Sequence, residues 1–150
     1  MTAADQLPYT VENCSNRITW LRARRKHLCA TDGAAIWGAS GYASPYSVWW
    51  SKLGPFEQSD PDIVQRVGHA LECLVAELFV ETTGVEVRDP GDFALHVSRE
   101  FPFLACTPDR ITRDGSAIVE LKTAHFGAGD EWKSHIPLAY QIQLQHQMVV

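Results

Sequence analysis

The chain has 150 residues, 45% of them hydrophobic, and a formal net charge of -5. That is material for one packed domain, 1–150, with no composition shift or low-complexity linker to mark a second. No run approaches the roughly 18 apolar residues of a membrane span, and the start MTAADQLPYTVENC lacks the basic-then-apolar plan of a secretion signal, so a cytoplasmic protein with no membrane partner is expected. Cys14, Cys29, Cys73 and Cys106 show no C-x-x-C spacing, which opposes a zinc knuckle or disulfide framework and predicts reduced, mostly buried thiols. The histidines form no H-E-x-x-H, and no G-x-S-x-G occurs, so a histidine metalloenzyme and a serine hydrolase are set aside.

In chain order, RITWLRARRKHL (17–28) reads as a basic helix with Ile18, Leu21 and Leu28 available to a core. Arg22, Arg24, Arg25 and Lys26 crowd together there, either as a solvated helix face or as a local contact for a polyanion. Thr31 is placed to cap a short helix that Gly38 ends, presenting free N–H groups in its first turn. Pro45 opens a third helix that runs to about Leu53 before Gly54, with Trp49 and Trp50 expected to serve packing. The best-marked helix is expected to start with Asp60 as cap and Pro61 in first position, and to end at Gly84. Its stripe is Val67, Leu71, Leu74, Val75 and Leu78. Glu72 falls at the margin of that stripe, as a carboxylate aimed into a cleft or as a plain boundary glutamate.

From Val85 short extended runs follow: VEVRD, FALHVSREF, FLACT and SAIVELKT. AHFGAGDEWKSHIP reads as a loop or broken helix, and Pro137 opens LAYQIQLQHQMVV, whose periodicity fits a strand while its composition fits a helix. Helices before and after a strand-rich middle make the fold α+β (α/β).

The sharpest signal is FPFLACTPDRITRDGSAIVELKT (101–123), where Asp114-Gly115 predicts a two-residue hairpin turn. Opposed positions then sum to 229, which sets Ile111 against Ile118 and Asp109 against Glu120. Two facing carboxylates, with Cβ atoms roughly 5 Å apart, repel one another when ionised. A hard divalent cation, Mg²⁺ or Mn²⁺, offsets that repulsion and prefers such oxygen ligands. Alternation puts Glu120 and Lys122 on one face, with the Leu121 side chain toward the core. Lys122 is there to orient or deprotonate a water, or to stabilise charge in the transition state.

These residues resemble the PD-(D/E)xK nucleases, specifically the viral recombinase branch of the YqaJ or lambda-exonuclease type, over roughly residues 20 to 148. The resemblance implies a restriction-endonuclease-like core: a central mixed sheet that bears the carboxylate hairpin, flanked by helices. Through WLRARRKHLCATDGAAIWG it implies that Arg24 and Thr31 hold a terminal 5′-phosphate, with Arg25 as possible support. GHALECLVAELFVETTG resembles the G-x-x-x-E helix and makes Glu72 the acid reaching the site from the helical side. CTPDR and VELKT supply the metal ligands Asp109 and Glu120, Lys122, and the Leu121 carbonyl as a further ligand. YQIQLQHQM resembles the family's glutamine helix, which resolves that segment to helix and gives Gln143 a role near the water or scissile phosphate, with Gln145 in support. Members continue past that helix, so a C-terminally incomplete domain is expected.

The implied activity is Mg²⁺-dependent 5′-to-3′ exonuclease action on double-stranded DNA ends in phage-type recombination. A single-strand annealing protein is the implied partner, and homo-oligomers are the implied assembly. The alternatives are an endonuclease or CRISPR-associated-type trimming nuclease with the same site, and a DNA-end-binding module without catalysis.

Overall fold

A computed structural model describes residues 7–57, 60–124 and 132–150. The chain divides into two compact units: residues 1–57, 91–107 and 137–150 in the first, residues 58–90 and 108–136 in the second.

In the first unit, β1 (Tyr9–Asn13), β2 (Leu28–Cys29), β4 (Ala94–Ser98) and β5 (Leu104–Cys106) form a mixed sheet in the order β1-β4-β5-β2, with β2 parallel to β5 and the other pairs antiparallel. All five residues of β4 are buried, because a strand paired on both edges and covered on both faces has no solvent side. The core joins Leu95, Val97 and Ala105 to Ala23 of α1 (Arg17–Arg24), with Cys14 and Trp20 packed alongside.

Asn16 starts α1 through a reciprocal cap, its side chain accepting from the Thr19 N–H at 3.0 Å. The helix stops at Arg24, short of the expected 28. The chain must turn there so that the Leu28 N–H can donate to Phe103 at 2.7 Å and begin the parallel pairing with β5. Ile18 is accordingly exposed, and Trp20 and Ala23 make the core contact instead.

Helix α2 (Ala30–Ile36) is capped two residues earlier than expected. Cys29 is the cap residue, and its N–H donates to the Asp32 carboxylate at 2.7 Å, so Thr31 lies inside the first turn. Gly38, at φ 69°, follows the helix as expected. Ala30, Ala34 and Ala35 are buried, and a Cβ on Gly33 would meet Ile142 at 3.0 Å, so small residues let α2 lie close to α5 (Leu138–Val149). The glutamine segment is therefore a helix. Helix α3 (Pro45–Leu53) begins at Pro45 behind a Ser44 cap and ends before Gly54, as its sequence predicts. Trp49 and Trp50, however, are exposed rather than packed away.

In the second unit, α4 (Ile63–Thr83) accompanies an antiparallel sheet in the order β3-β6-β7, formed by Val87–Arg88, Arg110–Thr112 and Ile118–Val119. The cap of α4 is Asp62, two residues later than expected, because Asp62 and Gln65 exchange side-chain bonds with each other's backbone N–H. Gly84 closes the helix in the left-handed conformation, φ 70°. Of the expected stripe Val75 is half-buried while Val67, Leu71, Leu74 and Leu78 are exposed, and a sheltered line runs beside Val75 through Gly68, Glu72 and Ala76. These residues are spaced four apart and so share one helix face.

Cys29 and Cys106 are buried free thiols and Cys14 is half-buried, as expected, whereas Cys73 is exposed. The central part of the expected loop, 125–131, lies outside the described residues. Among the described residues no helix is long and apolar enough to cross a membrane.

Candidate active site

The hairpin forms in the predicted register, with Ile111 opposite Ile118 and Arg110 opposite Val119. Its turn is longer than two residues. Arg113 donates its N–H to Glu86 of the neighbouring chain segment, so pairing closes at Thr112 and Ala117 and leaves four residues in the loop. Within the loop Gly115 takes φ 76°, and hydrogen bonds to the Asp114 carboxylate, from Thr112 first and then from the Ser116 N–H and hydroxyl, hold its pKa down at about 2.

Beyond Arg110 and Val119 the ladder gives way to a side chain: the Asp109 carboxylate accepts the Leu121 N–H at 2.7 Å. This bond straps the end of β7 to Asp109 and brings Glu120 and Lys122 alongside it. Glu120 is nearly enclosed, 6% exposed, and ion-paired with Lys122, as expected for residues that alternate onto one face. The Asp109 pKa is pushed up to about 6, chiefly by burial and then by the Glu120 charge, with Glu72 adding to it. The Leu121 N–H and Lys122 pull the other way but do not prevail. Glu72, on the sheltered face of α4, pairs with His69 one turn earlier at 3.2 Å. Asp109, Glu120, Lys122 and Glu72 are thus brought to one electrostatic neighbourhood within the second unit.

Arg110 holds this arrangement from behind, and sequence reasoning passed it over. Buried to 7% exposure, it donates to the Asp109 carbonyl at 2.6 Å and to the Cys73 sulfur at 3.7 Å, which ties the strand to α4. Its one visible signal was its place in CTPDR. His69 was equally unmarked, since a single histidine on a helix says nothing of its neighbour one turn on.

Among the described residues no three His, Cys, Asp or Glu side chains converge closely enough to hold a metal ion by themselves. The donor set at Asp109 and Glu120 nevertheless fits a hard divalent cation. It consists of two sheltered carboxylates in mutual repulsion, one of them retaining its proton to about pH 6.

In the first unit the Arg24 guanidinium lies over the Trp20 ring, 4.5 Å from its centroid, and donates to the Thr31 hydroxyl at 2.9 Å. The two residues expected to grip a phosphate therefore meet. Behind them Lys52 bridges two elements: its ammonium pairs with Asp32 at 2.6 Å and donates to the Arg24 carbonyl at 3.1 Å. Arg25 turns away to the Lys52 and Gly54 carbonyls, so its part is to hold the end of α3. Gln143 is half-buried and Gln145 exposed on α5. Both belong to the first unit, whereas the carboxylate cluster lies within the second.

The model of the YqaJ-like viral recombinase domain matches residues 19–150. An uncharacterised protein, YqaJ, of Bacillus subtilis (strain 168) is 31% identical over 138 residues, covering 90% of this chain and 42% of that protein. The chain thus spans about two fifths of the length of that relative. The crystal structure of an alkaline exonuclease from Laribacter hongkongensis matches at a TM-score of 0.68 and 20% identity, over 89% of this chain and 68% of that one. The complex of LHK-Exo with dAMP matches at 0.69, with the same identity and coverage. At that identity the likeness shows the fold, which is restriction-endonuclease-like.

Proposed function

The chain belongs to the YqaJ-like viral recombinase domain family, and from that premise we propose that it is a divalent-metal-dependent deoxyribonuclease that digests double-stranded DNA from its 5′ ends. The observation that carries the reading is the conflict at Asp109. Its carboxylate is held against the Leu121 N–H beside enclosed Glu120, with a pKa near 6 that only a neighbouring cation or a proton relieves. The fold likeness to an exonuclease, solved also with dAMP, supports the same chemistry.

Asp109, Glu120 and the Leu121 carbonyl would hold Mg²⁺ or Mn²⁺, with Glu72 and Asp109 serving a second ion. When bound, the metal supplies Lewis-acid polarisation of the phosphate and makes its water more acidic. Lys122, next to Glu120, offers an ammonium to the anionic charge that develops at phosphorus, or to the attacking water. The resemblance of YQIQLQHQM to the family's glutamine helix is what supports a role for Gln143 near that water. Arg24 and Thr31 grip the terminal 5′-phosphate, arginine through its fork and threonine through its hydroxyl. The product keeps a 5′-phosphate, and the complementary strand is left as a 3′ tail for an annealing protein. A cytoplasmic site of action and a homo-oligomeric assembly complete the proposal.

The test is digestion of linear duplex with 5′-phosphate ends, linear duplex with 5′-hydroxyl ends, and closed circular duplex, in Mg²⁺ and in EDTA. The wild type should shorten the phosphorylated linear duplex in Mg²⁺ alone, and Lys122→Ala should lose about 100- to 1000-fold in rate. Equal cleavage of circular DNA would instead assign an endonuclease. DNA left intact by the wild type in Mg²⁺ would assign an end-binding module.

A further inference from the structure

We infer that Tyr46, Trp49 and Trp50 on α3 form a platform on which the unpaired bases of single-stranded DNA stack. Trp49 and Trp50 lie three and four residues after Tyr46, so both neighbour it on the helix surface. Their rings form a cluster, with centroids 5.7 Å apart for Tyr46 and Trp49, 6.5 Å for Tyr46 and Trp50, and 6.1 Å for the two tryptophans. Yet they remain 68%, 51% and 40% exposed. Aromatic surface of this extent left in water marks a binding face rather than a packing accident.

The surroundings choose the occupant. Trp50 lies against Gly54, where a Cβ would come within 2.8 Å of its ring, so a glycine is needed for the ring to lie there. The Arg25 guanidinium donates to the Gly54 carbonyl and stands 5.7 Å from the Phe56 ring, and Arg22 stands 5.4 Å from the same ring. The aromatic face therefore continues into a cationic one. Residues 12–57 hold six Lys and Arg against three acids, Glu12, Asp32 and Glu57, with Asp32 already paired with Lys52, in a chain whose net charge is -5. Pairing of this face with itself in a second copy would bring like charges together, whereas a polyanion with exposed π-faces complements both of its features. Aromatic rings beside a basic groove are how sequence-tolerant single-strand binders hold bases and backbone together. The site extends the nuclease proposal but does not rest on it, since stacking needs neither a metal nor a 5′-phosphate.

The test is fluorescence anisotropy in EDTA with a 3′-labelled oligothymidine carrying a 5′-hydroxyl, so that neither metal nor terminal phosphate contributes. Trp49→Ala and Tyr46→Ala should each weaken binding roughly tenfold, and Trp49→Phe should restore most of the loss. An abasic strand of equal length should bind as weakly as the alanine variants, and tryptophan emission should be quenched by oligothymidine alone. Thermal melting of each variant at the wild-type temperature establishes that the fold is kept. Three results would overturn the proposal: no oligothymidine binding by the wild type, equal affinity for thymidine and abasic strands, or unchanged affinity when both Tyr46 and Trp49 are alanine. A lower mass in light scattering without DNA for Trp49→Ala would assign the face to self-association instead.

Discussion

Two charged clusters, one in each unit, are built on opposite principles. Around Lys52 every charge has its complement: the ammonium meets the Asp32 carboxylate and the Arg24 carbonyl, and Asp32 also accepts the Cys29 N–H. Around Asp109 the charges conflict: carboxylates at 109, 120 and 72 share one neighbourhood with a single lysine, and the Asp109 pKa rises to about 6. A satisfied network sets geometry and resists change. A frustrated one holds free energy that a ligand of the right charge releases, which is the usual condition of a reactive site. Under the proposed function the first cluster positions and the second carries the chemistry, and each role can be broken separately.

The largest effect is expected at Asp109. Asp109→Asn keeps an oxygen for the Leu121 N–H and removes the repulsion with Glu120. Nuclease activity should fall by about 1000-fold or more with the loss of a metal ligand. Stability should move the other way. An acid whose folded pKa is raised imposes no penalty below its ordinary value, 3.8, and its full penalty above about 6. In EDTA the wild type should therefore lose about 2–3 kcal/mol from this group between pH 4 and 7. The variant should lack that loss and melt higher than wild type at pH 8. Calorimetry across that range checks it, and a parallel decline in both proteins would mean that Asp109 is not under strain.

The next effect concerns the satisfied cluster. Lys52→Met leaves the Asp32 carboxylate, with side chains here only about 15% exposed, without its cation and should destabilise by about 3 kcal/mol. Adding Asp32→Asn removes the stranded charge, so the double variant should recover much of that loss in urea melts. If Lys52 positions the phosphate grip, the refolded double variant should still discriminate less between 5′-phosphate and 5′-hydroxyl ends. Full discrimination with restored stability would reduce the pair to a structural one.

The frustrated cluster was far more legible in the sequence than the satisfied one. A turn residue pair and strand alternation fix which side chains face each other across a hairpin, so the register that sets Ile111 against Ile118 could be counted from Asp114-Gly115, although the ladder ends one pair before Asp109 and Glu120. The loop still proved longer, because Arg113 pairs with Glu86, a partner distant in the chain. Lys52 and Asp32 are separated by twenty residues on two helices, and nothing local distinguishes this lysine from a solvated one. The same limit explains Trp49 and Trp50: an aromatic pair on a short helix reads as core until the neighbouring elements are known to leave it uncovered. Strand β1 was missed although all five of its residues pair with β4, since YTVEN has an exposed face and little apolar content. For α4 the apolar stripe was right only in part: Val75 is half-buried, Val67, Leu71, Leu74 and Leu78 are exposed, and Gly68, Glu72 and Ala76 are sheltered beside it.

The smallest effect tests the grip itself. Thr31 is exposed in the first turn of α2, and its hydroxyl accepts one bond from Arg24. Thr31→Val keeps the shape and removes only that oxygen, so the melting temperature should barely move. A single hydrogen bond is worth about 1 kcal/mol, so KM for 5′-phosphorylated duplex should rise about fivefold. The kcat should hold, because the carboxylate cluster is untouched, and KM for 5′-hydroxyl ends should not change. Arg24→Lys gives the paired reading: it keeps the charge but loses the fork that reaches both the hydroxyl and a phosphate, and should cost more than Thr31→Val on phosphorylated ends alone. Equal losses on both kinds of end would show that the pair binds duplex backbone in general, and the distinction between a positioning cluster and a reactive one would then rest on Lys52 alone.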